Sequence, residues 1–69
     1  MLPAYTRVRL VSDRNAHRGA PQGMLGYVIE VYGNGQYEVE FSDPATGRTV
    51  TQVVVASEDV VESPESRGP

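Results

Sequence analysis

The chain has 69 residues, six basic and nine acidic groups, one histidine and no cysteine. Such a length allows one domain that buries only roughly 60% of its unfolded surface, and it excludes disulfide staples and thiolate metal sites. A formal net charge of −3 argues against non-specific nucleic-acid binding, which needs a basic face to neutralise phosphates.

The charge is unevenly spread. Residues 1–20 hold Arg7, Arg9, Arg14 and Arg18 against Asp13, whereas residues 21–69 hold Arg48 and Arg67 against eight acids. Every basic residue except His17 is an arginine, whose planar fork suits carboxylates and phosphates. The opening Met-Leu-Pro-Ala-Tyr-Thr-Arg is no signal peptide, and no apolar run reaches membrane-spanning length. The expectation is a soluble cytoplasmic protein.

In chain order, Tyr5–Val11 reads as a first strand with Val8 and Leu10 inward and Arg7 and Arg9 outward. Pro3 marks its outer limit. Residues 12–22 are polar and punctuated by Gly19 and Pro21. Loops of this length are functional or disordered. Ser12 or Asp13 could cap a single helical turn there, but no apolar period sustains a helix.

Two strands joined by Gly33-Asn34-Gly35 organise the middle, from Gly23 to Ser42. Gly and Asn accept the positive φ of a hairpin turn. Gly23 and Gly26 predict a bent strand start, and Val28-Ile29-Glu30-Val31 breaks strict alternation, which predicts a bulge. The second arm alternates, with Tyr37, Val39 and Phe41 on the core face and Glu38 and Glu40 on the other.

Asp43-Pro44-Ala45-Thr46-Gly47 is a turn. Arg48–Val55 forms the fourth strand, with either Thr49, Thr51, Val53 and Val55 or Val50, Gln52 and Val54 facing inward; the first set is favoured toward the C-terminal end. Ala56–Glu62 reads as one 3₁₀ turn, which Ser57 could cap, and a short last strand. Residues 63–69 have no apolar group to bury and are expected to be a disordered tail. The fold expected is all-β, a small five-stranded SH3-like barrel over residues 4–62 with a 3₁₀ turn before the last strand; closure would remove the sheet edges of a Val-rich chain.

The pattern Gly23-x-x-Gly26-x-Val28-x-Glu30-Val31-Tyr32, then Tyr37-x-Val39-Glu40-Phe41, then Ser57-Glu58-Asp59-Val60 resembles a family of small bacterial SH3-like barrels catalogued as a domain of unknown function, over residues 5–62. Gly-x-x-Gly-x-Val is also distantly similar to the KOW element of ribosomal and transcription-factor barrels, a short motif that by itself marks a bent strand start. The first loop departs from the family pattern where Ala20-Pro21-Gln22 precedes Gly23. The resemblance implies a barrel without known catalytic activity, similar to accessory or antitoxin-like partners of other proteins.

No motif carries reaction chemistry. His17 is the sole imidazole, short of the three or four ligands a metal needs. A triad of Ser12 or Ser42 with His17 and Asp13 could be written, but the loop offers no rigid elbow for a nucleophile. Neither a cofactor nor a metal is expected. In an SH3-like barrel, as the resemblance implies, the first strand lies beside the last, which would set Arg7 and Arg9 near Glu58–Glu62 as cross-strand pairs and leave Arg14 and Arg18 without an obvious mate. Val53-Val54-Val55 cannot all point inward, so the fourth strand should show an apolar group to solvent.

The function read from this is a non-enzymatic module that binds a partner protein or itself, through Arg14, His17, Arg18, Tyr27, Tyr32 and Val54, with strand addition as one mode. The alternative is a KOW-like binder of structured RNA. An arrangement in which Glu58, Asp59 and Glu62 neutralise Arg7 and Arg9 would speak against that alternative.

Overall fold

The computed structural model describes residues 1–43 and 45–64. Five strands, β1 (Arg7–Leu10), β2 (Leu25–Tyr32), β3 (Gln36–Ser42), β4 (Thr49–Ala56) and β5 (Val60–Glu62), form one antiparallel sheet in the order β4-β3-β2-β1-β5. Two single 3₁₀ turns interrupt them, Ala16–Arg18 in the first loop and Ser57–Asp59 before β5. The expected all-β class, the five strands and the 3₁₀ turn before the last are all present. The expected closure into a barrel is not formed as a hydrogen-bonded sheet: β5 pairs with β1 on one side, and no ladder joins it to β4 among the described residues.

The β2–β3 hairpin is built as its residues require. Tyr32 faces Gln36 across Gly33-Asn34-Gly35, and Gly35 alone of the three takes a positive φ, 84°. A three-residue loop needs one left-handed position, and glycine occupies it without a Cβ penalty. The register of β2 against β3 slips between Val28 and Glu30. β2 pairs on both its edges, with β1 at Leu25–Tyr27 and with β3 from Gly26 to Tyr32, and the bulge bends it past the β1 pairing.

Gly26 sits at the tightest crossing. A Cβ there would lie 2.5 Å from the Glu40 carbonyl oxygen, 2.8 Å from Phe41 Cδ1 and 2.9 Å from Val39 Cγ1. Backbone and two core side chains occupy that space, so only glycine fits.

The core follows the alternation. Val8, Leu10, Val28, Tyr37, Val39, Phe41, Val53, Val55 and Val60 are buried, and Ala20 joins them from the first loop. Of the two inward sets open for β4, the structure selects Val53 and Val55, while Val50 stands 52% exposed. Arg9 is exposed and Arg7 half-buried, as their outward placement requires.

The first loop is ordered by its own hydrogen bonds. The Asn15 carbonyl accepts from the amides of Arg18 (2.9 Å) and Ala20 (3.1 Å), and the Leu10 carbonyl accepts from Gly23 at 2.8 Å. Capping differs from expectation. Asn15 and Ala56 occupy the N-cap positions of the two 3₁₀ turns, and neither turn has a side-chain cap. Asp13 Oδ1 accepts instead from the Gln22 amide at 2.9 Å, and Ser12 Oγ donates across to Asp59, so both expected caps stitch the loop together. The Asp43 turn forms as read, with its side chain accepting from the Ala45 amide and its carbonyl from Gly47, at φ 74°.

Past β5, the Ser63 amide donates to the Arg7 carbonyl at 2.8 Å, so Ser63 extends the β1–β5 pairing. The tail expected to be disordered otherwise lies, from residue 65 on, outside the described residues. No helix is long and apolar enough to cross a membrane among the described residues.

Candidate interaction surface

The structure distributes the six candidate residues over two regions. Arg14, His17 and Arg18 are exposed on the first loop. Tyr27, Tyr32 and Val54 belong to the outer face of the sheet, opposite the buried alternation of Tyr37, Val39, Phe41, Val53 and Val55. The cross-strand register joins this second group. Tyr27 faces Glu40, which faces Gln52, while Glu38 faces Val54 one row along. Tyr27 is 43% exposed, and Tyr32 and Val54 are half-buried.

On that outer face Glu38 is the polar centre. The Tyr32 hydroxyl donates to Glu38 Oε1 at 2.7 Å, and Gln52 Nε2 donates to the other carboxylate oxygen. These bonds, that from Gln52 first, favour the ionised carboxylate and lower its pKa from the ordinary glutamate value. The same bond raises the pKa of the Tyr32 hydroxyl, aided by desolvation and by the charges of Glu38 and Glu30. Glu30 and Glu38 are direct cross-strand neighbours, so two like charges share this face and the hydrogen-bond donors offset part of their repulsion.

The ion pairing on the other side corrects the sequence reading. Arg14 has mates. Its Nη1 lies 3.7 Å from Glu58 Oε2 and its Nε 3.5 Å from Asp59 Oδ1. Asp59 is buried, and it also accepts from Ser12 Oγ at 2.8 Å. Arg7, expected to pair with acids of the last strand, turns its Nη1 to the carbonyls of Ser63 (3.2 Å) and Pro64 (3.3 Å). β1 does lie beside β5, with Arg9 opposite Val61. Glu58 and Asp59 precede that strand, in the 3₁₀ turn next to the loop, and there they meet Arg14. The arrangement that was to speak against RNA, Arg7 and Arg9 neutralised by Glu58, Asp59 and Glu62, is therefore not the one formed.

Three contributors went unread in the sequence. Asp59 anchors the loop from a buried position that a charged residue rarely takes. Asn15 is buried, and its Nδ2 has no hydrogen-bond partner among the described residues. Thr51 Oγ1 donates to the Arg18 carbonyl at 3.0 Å, which ties the loop to β4. The one available signal was Ala20, an apolar residue between a glycine and a proline in an otherwise polar run.

β4 has the least protected edge. It pairs with β3 on one side, and its backbone makes no further hydrogen bond among the described residues. Its eight residues, Thr49–Ala56, include no charge and no proline, the usual guards of a sheet edge. The opposite edge, β5, has three residues and carries Glu62, with Pro64 close behind.

A shallow depression of about 320 Å³ lies between the end of the first loop and the β2–β3 pair, lined by Pro21, Gln22, Gly23, Met24, Leu25 and Ser42. None of these side chains is an ordinary acid or base. No group of three or more His, Asp or Glu side chains is placed to hold a metal among the described residues.

A family model described as a domain of unknown function, DUF4926, matches residues 5–62. The chain belongs to the DUF4926 family. The match covers the whole sheet, from the residue before Thr6 to the end of β5, the same stretch over which the sequence pattern resembles a family of unknown function. No curated protein and no solved structure matches the chain. Within this DUF4926 domain the bulged β2, Gly26 and the Tyr37–Phe41 alternation are thus parts of the sheet itself.

Proposed function

We propose that this domain is a non-enzymatic interaction module that docks a protein strand along the free edge of β4. The observation that carries the reading is that edge: eight residues, roughly 27 Å of backbone at about 3.4 Å per residue, without charge, proline or a backbone partner on its outer side among the described residues. Alternate residues of an antiparallel strand aim both backbone groups at the same side. About half of the β4 groups therefore face outward, and strand addition satisfies them. Val50 and Val54 flank the incoming strand on the outer face, and Tyr27 and Tyr32 stand farther along it.

The strand order and the bulge in β2 support an SH3-like curl of the sheet, with the first loop leaning on β4 through Thr51 and Arg18. An accessory role beside another protein agrees with a domain whose depression by the first loop presents no ordinary acid or base. The RNA-binding alternative finds less support, since Arg14 is paired with acids and Glu30, Glu38 and Glu40 lie on the outer face of β2 and β3.

The test compares the wild type with Val50→Lys, which adds an edge guard at an exposed position. Both are used to capture proteins from a lysate of the source cell, and both are sized by light scattering. The reading expects a specific complex or self-association that V50K abolishes while circular dichroism stays unchanged. Binding that V50K leaves intact, or salt-sensitive RNA affinity in place of a protein complex, overturns it.

A further inference from the structure

We propose that the strand docking on β4 is β4 of a second copy of the same chain, so that two domains join antiparallel into one continuous ten-stranded sheet. The inference rests on the reading of β4 as the docking edge and adds the identity of its occupant.

Charge placement along the edge points to a second copy. At the N-terminal end stand Arg48, exposed and adjacent to Thr49, and Arg18, whose carbonyl is held by Thr51. At the C-terminal end stands Glu58, with its side chain 67% exposed. The chain thus carries a positive side chain just before β4 and a negative one shortly after it, with no charge on β4 itself. A parallel copy would set like ends together. An antiparallel copy sets each positive end beside a negative one, twice, by symmetry.

The two-fold axis also constrains the register. With the axis normal to the sheet, paired residues share a face, so the strand must turn about a residue and not between two. A centre at Val53 sets Gln52 against Val54 and Val50 against Ala56, and brings Arg48, just before β4, to the end where Glu58 of the second copy follows in its 3₁₀ turn. This register covers Val50, otherwise 52% exposed, and Val54. Nothing charged lies between Thr49 and Ala56 to meet its own image across the axis. The Arg14–Glu58 contact, 3.7 Å between side chains about two-thirds exposed, is weak enough for Glu58 to be shared.

The experiment is sedimentation equilibrium of the full chain, in parallel for wild type, Arg48→Glu, the charge-swapped Arg48→Glu/Glu58→Arg, and V50K, with circular dichroism as the check on folding. The proposal expects wild type at twice the 7.5 kDa chain mass, R48E weakened about tenfold or more in dimer affinity by the like charges it brings together, the double variant restored, and V50K monomeric. Three outcomes overturn it. A wild type that stays monomeric to millimolar concentration removes the second copy; if V50K then still abolishes capture of another protein, the docking edge itself stands. A dimer that R48E does not weaken, or that the swap does not restore, removes the antiparallel charge pairing. A dimer indifferent to V50K removes both the second copy on β4 and the edge reading beneath it.

Discussion

Ser12 Oγ donates to the buried Asp59 carboxylate at 2.8 Å, joining residues 47 apart in sequence and fastening the first loop to the turn before the last strand. Arg14 reaches the same carboxylate at 3.5 Å. One side chain thus fastens the start of the loop, as Thr51 fastens its middle at Arg18. Asp59→Ala leaves the Ser12 hydroxyl without its acceptor and frees Arg14. The expected loss is about 1–3 kcal/mol, read from urea midpoints, together with faster amide exchange across residues 12–23. Glu58→Ala, which removes only an exposed partner, is expected to cost under about 0.5 kcal/mol.

Gly26→Ala is expected to be far more damaging than its size suggests. The added methyl meets the Glu40 carbonyl and the Phe41 ring at distances no Cβ tolerates. Relief requires β2 and β3 to separate at the site where β2 also holds β1. A loss of about 3 kcal/mol or more, large against the marginal stability of so short a chain, would leave the variant largely unfolded by circular dichroism.

Acid should weaken the fold through Glu38. Its folded-state pKa is lowered by the bonds from Gln52 and Tyr32. A depressed carboxylate contributes stability that is fully present above its unfolded-state pKa and is lost as pH falls through the folded-state value. Glu38→Gln keeps the shape and removes the titration. The urea midpoint of wild type should therefore fall more steeply than that of E38Q as pH drops below the ordinary glutamate range. At the alkaline end the Tyr32 pKa is raised. Its contribution is complete below the ordinary tyrosine value and is lost as pH rises through the folded-state one, so Tyr32→Phe should flatten the alkaline limb.

Thr51→Val tests the tie between the loop and β4. It keeps the β-branched shape and removes the hydroxyl that donates to the Arg18 carbonyl. The expected cost is about 1 kcal/mol, with faster exchange of the amides near Arg18 and little change in β2 and β3.

The strands were legible where period-two alternation was clean. Tyr37, Val39 and Phe41 declared their face, and the break at Val28–Glu30 declared its bulge, because a pleated strand with one dry side leaves a mark in every second residue. The inward set of β4 was legible only at Val53 and Val55, since Thr and Val fit either face. The adjacency of β1 and β5 was expected from the resemblance to SH3-like barrels. The partner of Arg14 was not: Asp59 is distant in sequence, and a buried aspartate looks like any surface acid until the fold closes around it. For the same reason Tyr27, Tyr32 and Val54 could be named as candidates but not gathered on one face apart from Arg14, His17 and Arg18. Register, not composition, decides which side chains share a surface.

The pairing of two copies through the β4 edge is tested most directly by residue-resolved amide exchange of the wild-type chain at low and high protein concentration. Outward-facing amides of Thr49–Ala56 should gain protection at the high concentration while those of residues 12–23 do not. Equal exchange along β4 at both concentrations, or protection gained on the first loop instead, would contradict it.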